Sequence, residues 1–296
     1  MGARSFSAKL LVALLWPNAP AQPLRLQHFT PLTMEPVGAA MKIDYSWFYG
    51  YQNVASANGS LVVRLPNAIE VIDEGSLKVT QRYTFRHKGT CAVDFDGTAV
   101  VALTGCLTAS SKTHTVWRLT RASRSSIRVA HLAPLAWPVS FAVGDGKWFV
   151  ARRDGSVDSI DLRTGHVASH RPRRTLAKGV PGYREASWLG DHRLGLNGTV
   201  VDVRTWHKRT LALGAQRLDT IDGYVIAHGM NGITVFDHSL HLYRRLAAGR
   251  VIDTVGLSDG IIYAQIGLAW DEWDLRTGRH LGIVLPDTPW LVQLLS

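Results

Sequence analysis

The pentapeptide Asp161-Leu162-Arg163-Thr164-Gly165 recurs letter for letter at Asp274-Leu275-Arg276-Thr277-Gly278. Asp202-Val203-Arg204-Thr205 is a third copy, with Trp206 in the place of the glycine. Each copy follows a short run of β-forming residues. An Asp side chain readily accepts hydrogen bonds from backbone N–H groups just ahead of it, so each copy reads as a corner where a strand reverses. A corner reused at a spacing of about forty residues marks a solenoid or a propeller, in which each unit buries its apolar faces only against the next.

Two further kinds of turn repeat in step with it. Asn58-Gly59, Asp96-Gly97, Asp145-Gly146, Gly190-Asp191, Asp222-Gly223 and Asp259-Gly260 each precede a strand-like run. Both residues of such pairs tolerate positive φ, which tight hairpins require. Asp154-Gly155, Asn197-Gly198 and Asn231-Gly232 form a second set. Between the turns lie short runs such as Val139–Val143, Lys147–Ala151, Ser156–Ile160 and His166–His170. Four short strands in meander order make one propeller blade. Six such units begin near Trp47, Lys88, Pro138, Glu185, Arg217 and Val251. A sandwich or barrel also gives short strands at regular spacing, but it has no reason to reuse one pentapeptide. The expectation is an all-β propeller over residues 47–296 with six four-stranded blades. The tail Pro289–Leu295 is one more strand, which either completes the first blade or belongs to a seventh paired with residues from 24 to 45.

With hydrophobic residues before it, the corner resembles the blade motif of bacterial PQQ-like, YVTN-type and WD40-like propellers. Asp161, Thr164 and Gly165, and again Asp274, Thr277 and Gly278, carry the resemblance. It implies the fold, and a fold does not imply a function. Quinoprotein repeats place a tryptophan four residues after the glycine. Ser169 and Gly282 stand there instead, so the resemblance implies no quinone cofactor.

The N-terminus combines basic Arg4 and Lys9, the apolar run Leu10–Trp16, and Ala19-Pro20-Ala21. That is the order of a secretory leader. Residues 1–21 are therefore expected to be a leader, 22–46 an extension, and the protein exported; were Met34 or Met41 the true start, it would be cytoplasmic. No stretch approaches the roughly 20 apolar residues of a membrane-spanning helix. The two cysteines, Cys91 and Cys106, flank a hairpin about Asp96-Gly97. Cys91 would face a residue near Leu103, so a disulfide to Cys106 needs a bulge or a bent strand; export would permit one.

The formal net charge is +10, and the basic residues are scattered along the chain. A nucleic-acid module gathers them on one element with aromatics between, so no specific nucleic-acid partner is expected. The densest basic group is Arg171, Arg173 and Arg174, in a stretch that interrupts the strand pattern. Loops held by a rigid scaffold often carry function. Trp206, which replaces a turn glycine, and Trp137, which precedes a proline, read as exposed aromatics. These five residues are the expected binding surface for a protein or an anionic polymer.

No sequence motif announces catalysis. There is no H-E-x-x-H, G-x-S-x-G or phosphate loop. His166 and His170 stand four apart in a strand-like context, too widely spaced along it to share a ligand as neighbours. Asp94-Phe95-Asp96-Gly97 matches only the start of a calcium loop, without its later oxygen ligands. No cofactor is expected, with calcium as the one candidate ion. The reading is a monomeric, non-enzymatic binding module. The rival is a metal-dependent propeller hydrolase or lactonase, whose ligands would come singly from several blades into a central channel.

Overall fold

The computed structural model describes residues 11–16, 24–30, 35–43, 54–85, 89–95, 97–105, 113–120, 124–133, 135, 139–152, 154–170, 185–267, 269–284 and 291–294. Among them all regular structure is β. From the N-terminus come β1 (Leu11–Trp16), β2 (Leu24–Phe29) and β3 (Pro36–Ile43). The second blade is β4 (Val54–Ala57), β5 (Ser60–Leu65), β6 (Ala68–Asp73) and β7 (Lys78–Thr84). The third is β8 (Thr90–Phe95), β9 (Val100–Thr104), β10 (His114–Thr120) and β11 (Ser125–Leu132). The fourth is β12 (Ser140–Gly144), β13 (Lys147–Ala151), β14 (Val157–Asp161) and β15 (Val167–His170). The fifth is β16 (Ala186–Trp188), β17 (Arg193–Leu196), β18 (Thr199–Asp202) and β19 (Lys208–Thr210). The sixth is β20 (Ala215–Ile221), β21 (Tyr224–Gly229), β22 (Gly232–Phe236) and β23 (Leu242–Leu246). The seventh is β24 (Thr254–Ser258), β25 (Ile261–Ile266), β26 (Ala269–Asp274) and β27 (His280–Val284). Last comes β28 (Leu291–Leu294), which joins the first blade in the order β28-β1-β2-β3.

The local cause of each blade is visible in β13. Trp148 and Val150 point into a core shared with the third blade, while Phe149 and Ala151 point into one shared with the fifth. Successive side chains of a strand face opposite sides, and here both sides are covered. That is why the middle strands read as unbroken apolar runs rather than alternating ones. The hairpins between first and second strands use the left-handed residues that the sequence offers: Asn58, Asp145, Asp222 and Asp259 have φ between 48° and 53°, each followed by a positive-φ glycine.

First strands of neighbouring blades lie side by side, β4 by β8, β8 by β12, β12 by β16, β16 by β20 and β24 by β28, forming an inner ring. Separate hydrophobic cores fill the seams between blades; one joins Leu26 and Ile43 of the first blade to Leu61, Val63 and Ile72 of the second. Several of the outermost strands are solvated and basic, with Lys78 and Arg82 on β7, Lys208 and Arg209 on β19, and Arg245 on β23 among their residues. Lysine and arginine on an unpaired edge discourage pairing with other chains, which accounts for part of the positive charge.

The ring has seven four-stranded blades, the layout in which the C-terminal strand belongs to a seventh blade together with residues from 24 to 45. The six expected units are all present, and the seventh sheet, which is assembled from both ends of the chain, carries neither an Asp-Gly hairpin nor the Asp-rich corner, so the sequence offers it only as one of two layouts. Residues assigned to an extension form β2 and β3. The apolar run assigned to a leader forms β1, which pairs with β2 (Leu14↔Leu26) and with β28 (Leu14↔Gln293). A chain starting at Gln22 lacks the strand between β28 and β2. Its melting temperature is expected to fall by several degrees relative to the full chain. Equal melting temperatures, measured by circular dichroism, would detach residues 1–21 from the native fold and favour a cleaved leader.

Cys91 is fully buried and disulfide-bonded. It sits at a bulge, where the β8–β9 register shifts between Thr90↔Thr104 and Ala92↔Leu103. Cys106, the other cysteine of the chain, lies outside the described residues.

Candidate functional site

The repeated corner explains where a site opens. Asp161 Oδ1 accepts the N–H groups of Arg163 (3.0 Å) and Thr164 (2.7 Å) and the Thr164 hydroxyl (2.9 Å). Gly165 N donates to Asp161 O at 2.8 Å. Asp274 repeats the pattern with the Thr277 N–H (2.6 Å) and hydroxyl (2.7 Å). Asp202 repeats it with the N–H groups of Arg204 (2.8 Å) and Thr205 (3.2 Å). These donors favour the charged carboxylate. The Thr164 N–H, above all, holds Asp161 below the usual range, and the Arg204 side chain, then its N–H, hold Asp202 at about 2.

The residue closing each corner is left-handed: φ is 75° at Gly165 and Gly278, and 58° at Trp206. Such a backbone costs a residue with a Cβ about 1 kcal/mol, and for a bulky residue it is a conformational outlier. Glycine has a second reason to be there. A Cβ on Gly165 would collide with the Val129 carbonyl oxygen on β11, the outer strand of the preceding blade. At Gly278 a Cβ would meet Arg244 Cδ of β23 at 3.2 Å. In the fifth blade, by contrast, the corner carries an indole. Trp206 stacks on His170 of β15, ring centroids 3.6 Å apart and planes 14° from parallel. A seam that is tight elsewhere is here wedged into a cleft of about 690 Å³.

The fourth blade supplies Asp145 and Lys147 beside its first hairpin, Asp161 and His166 at its corner, and His170. The fifth supplies His192, Arg204 and Trp206. Asp145 pairs with His192 across the seam. His192 ends a run of three left-handed residues, Gly190 (78°), Asp191 (47°) and His192 (60°). Arg204 is largely exposed and holds Asp202 Oδ2 at 3.2 Å. His170 meets the Ser159 hydroxyl through Nε2 at 3.2 Å. Burial first, and then the Lys147 charge, push its imidazole below the usual range, against the pull of Asp158. The cleft thus offers two permanent cations, two carboxylates, three imidazoles and one flat aromatic wall.

A second polar cluster lies on the inner strands. Arg217 on β20 reaches Glu185 Oε2 (3.2 Å) and Asp219 Oδ1 (2.7 Å), and Asp219 Oδ2 meets Nε2 of fully buried His228 at 2.8 Å. Burial would raise Asp219, but the charge of Arg217 and the hydrogen bond from His228 bring it down to about 2. A guanidinium already bridges the two carboxylates that could have held a cation here. Among the described residues no group of three or more His, Cys, Asp or Glu is placed to hold a metal. Asp94 Oδ1, at the start of the calcium-loop match, accepts the Phe95 N–H at 2.8 Å.

Of the residues singled out in the sequence, Trp206 lines the cleft, and His166 and His170 join it there. Trp137, Arg171, Arg173 and Arg174 lie outside the described residues. Asp145, Lys147, His192 and Arg204 were not foreseen as site residues; the one signal in the sequence was the departure of Trp206 from its own repeat.

No protein-family model matches the sequence, and a search of curated proteins finds no match. Solved structures do match. BamB from Moraxella catarrhalis superposes with a TM-score of 0.51 at 14% identity, over 92% of this chain and 87% of that one. A chain in the crystal structure of the mitotic checkpoint complex superposes with a TM-score of 0.53 at 13% identity, over 87% of this chain and 88% of that one. At such identities the likeness speaks for architecture alone: the chain has a β-propeller fold.

Proposed function

We propose that this propeller is a non-enzymatic interaction module that docks an acidic protein or an anionic polymer in the cleft between its fourth and fifth blades. The observation that carries this reading is the wedged seam, where Lys147 and Arg204 line a recess between two blades. The mitotic checkpoint complex is by its name an assembly, and a chain of it shares this architecture, in keeping with a propeller acting among partners. Export belongs to the same proposal and rests on the leader-like order of the N-terminal residues.

Chromatography on immobilised heparin and on immobilised polyglutamate tests the reading. The double variant Lys147→Glu/Arg204→Glu is expected to elute at clearly lower salt than a control of equal charge, Arg276→Glu/Arg279→Glu, on the seventh blade's exposed corner. Salt screens scattered surface charge and charge in a recess differently, so equal net charge isolates the cleft. Identical elution of the two variants on both matrices would overturn the proposal.

A further inference from the structure

We propose that the ligand of the cleft is an anionic carbohydrate, a sugar ring bearing a carboxylate, seated against the Trp206–His170 wall. This inference rests on the cleft being the binding site of the module. Three features of the recess point to it.

The first is the wall. Trp206 and His170, stacked with ring centroids 3.6 Å apart, bring an indole and an imidazole together in the lining, and such rings join an apolar body to a polar N–H, as a sugar joins C–H faces to hydroxyls. The second is the mixture of charges. Lys147 and Arg204 are the permanent cations of the lining, Arg204 held by Asp202, and Asp145 and Asp161 stand beside them. An acidic peptide carries a carboxylate on nearly every residue and would meet both aspartates. A sugar acid carries one charge per ring and several hydroxyls, each able to donate to a carboxylate and to accept from an imidazole. Such a ligand suits a lining that mixes cations, carboxylates and histidines. The third is the backbone. Of the left-handed residues that are not glycine, His192 and Trp206 line this one cleft, besides Asp145, whose φ is that of the ordinary hairpin residue. Outliers of this kind persist where the surrounding structure enforces them, and they gather at ligand clamps. Trp206 is the clearest case, because the same corner is built with glycine in two other blades. The volume, about 690 Å³, falls within the range of small-ligand pockets and suits one or two sugar rings.

The test is titration calorimetry on the full chain. The probes are trimers of galacturonic, glucuronic and mannuronic acid, a neutral galactose trimer, a hexaglutamate peptide and a thymidine hexanucleotide. At least one uronate trimer is expected to bind tenfold or more tightly than the neutral trimer, the peptide and the oligonucleotide. Trp206→Gly restores the residue of the sister corners, so it is expected to fold, and to weaken uronate binding by tenfold or more. Lys147→Ala/Arg204→Ala is expected to weaken it likewise, and Arg279→Ala to leave it unchanged. Melting curves of each variant separate loss of binding from loss of fold. Absence of uronate binding, binding undiminished in folded Trp206→Gly, or equal or tighter binding of hexaglutamate or the oligonucleotide would each overturn the carbohydrate assignment. If the charge-reversed protein nevertheless elutes early from the polyanion columns, the module survives and only its ligand class is wrong; if it does not, the module reading fails as well.

Discussion

Trp148→Ala is expected to lower the free energy of unfolding by about 3–5 kcal/mol, the range for removing a buried aromatic from a packed core. Trp148 has no exposed surface and lies parallel to Phe141, ring centroids 4.7 Å apart and planes 11° from parallel. It fills the seam between the third and fourth blades together with Val101, Leu103, Val116 and Leu132. Those residues belong to a different sheet and are held by their own ladders, so they cannot collapse into the space an alanine would leave. Trp148→Phe offers a sharper comparison. The indole N–H of Trp148 has no hydrogen-bond partner, so phenylalanine loses packing volume but no polar contact, and a cost of about 1–2 kcal/mol is expected. Urea denaturation monitored by circular dichroism measures both. A cost below about 1 kcal/mol for the alanine variant would mean that the seam is not packed in solution as described.

The other large effect is expected at Asp219. Its carboxylate is mostly buried and joins Arg217 to His228. Held at about 2 against an ordinary value of 3.8, it contributes stability that is fully present above pH 4 or so. That contribution is lost as the pH falls toward 2 and the folded state takes up the proton; by linkage it amounts to about 2 kcal/mol. Asp219→Asn removes the charge and leaves Arg217 and His228 facing an amide. A loss of about 2–4 kcal/mol at pH 7 is expected, together with a flatter acid limb, so that variant and parent converge near pH 2. A constant offset between the two curves from pH 7 to pH 2 would show that the charge of Asp219 does not stabilise the fold.

Much of the ring was legible in the sequence because its turns are chemically demanding. Only a few residue types accept a left-handed backbone, so pairs such as Asp145-Gly146 and Asp222-Gly223 mark hairpins without help from the rest of the chain. The runs Val139–Val143 and Lys147–Ala151 correspond to β12 (Ser140–Gly144) and β13 (Lys147–Ala151) within a residue. The first blade stayed one of two layouts because its identity lies in a pairing, Leu15 with Val292, that no local pattern records. The hairpin after β1 and the reversal before β3 lack the Asn-Gly, Asp-Gly and Asp-rich signals of the other blades. The cleft was legible in one letter. Trp206 in a glycine's place announced an irregularity, but Lys147 and His192 come to it only because the first hairpins of two successive blades open on the same seam. The cluster of Arg217, Asp219, His228 and Glu185 was invisible for a related reason. It spans two blades, and each member alone reads as an ordinary strand residue.

Closing the ring with strands from opposite ends sets an order of events at the ribosome. Residues 11–16 are made about 280 residues before their partner on the inner side, residues 291–294. At typical elongation rates of about 5–20 residues per second the interval is on the order of tens of seconds. Throughout it β1 has β2 on one side and an open edge on the other. The speed of synthesis would then set how long that edge stands open to pairing with other chains before the ring shuts it.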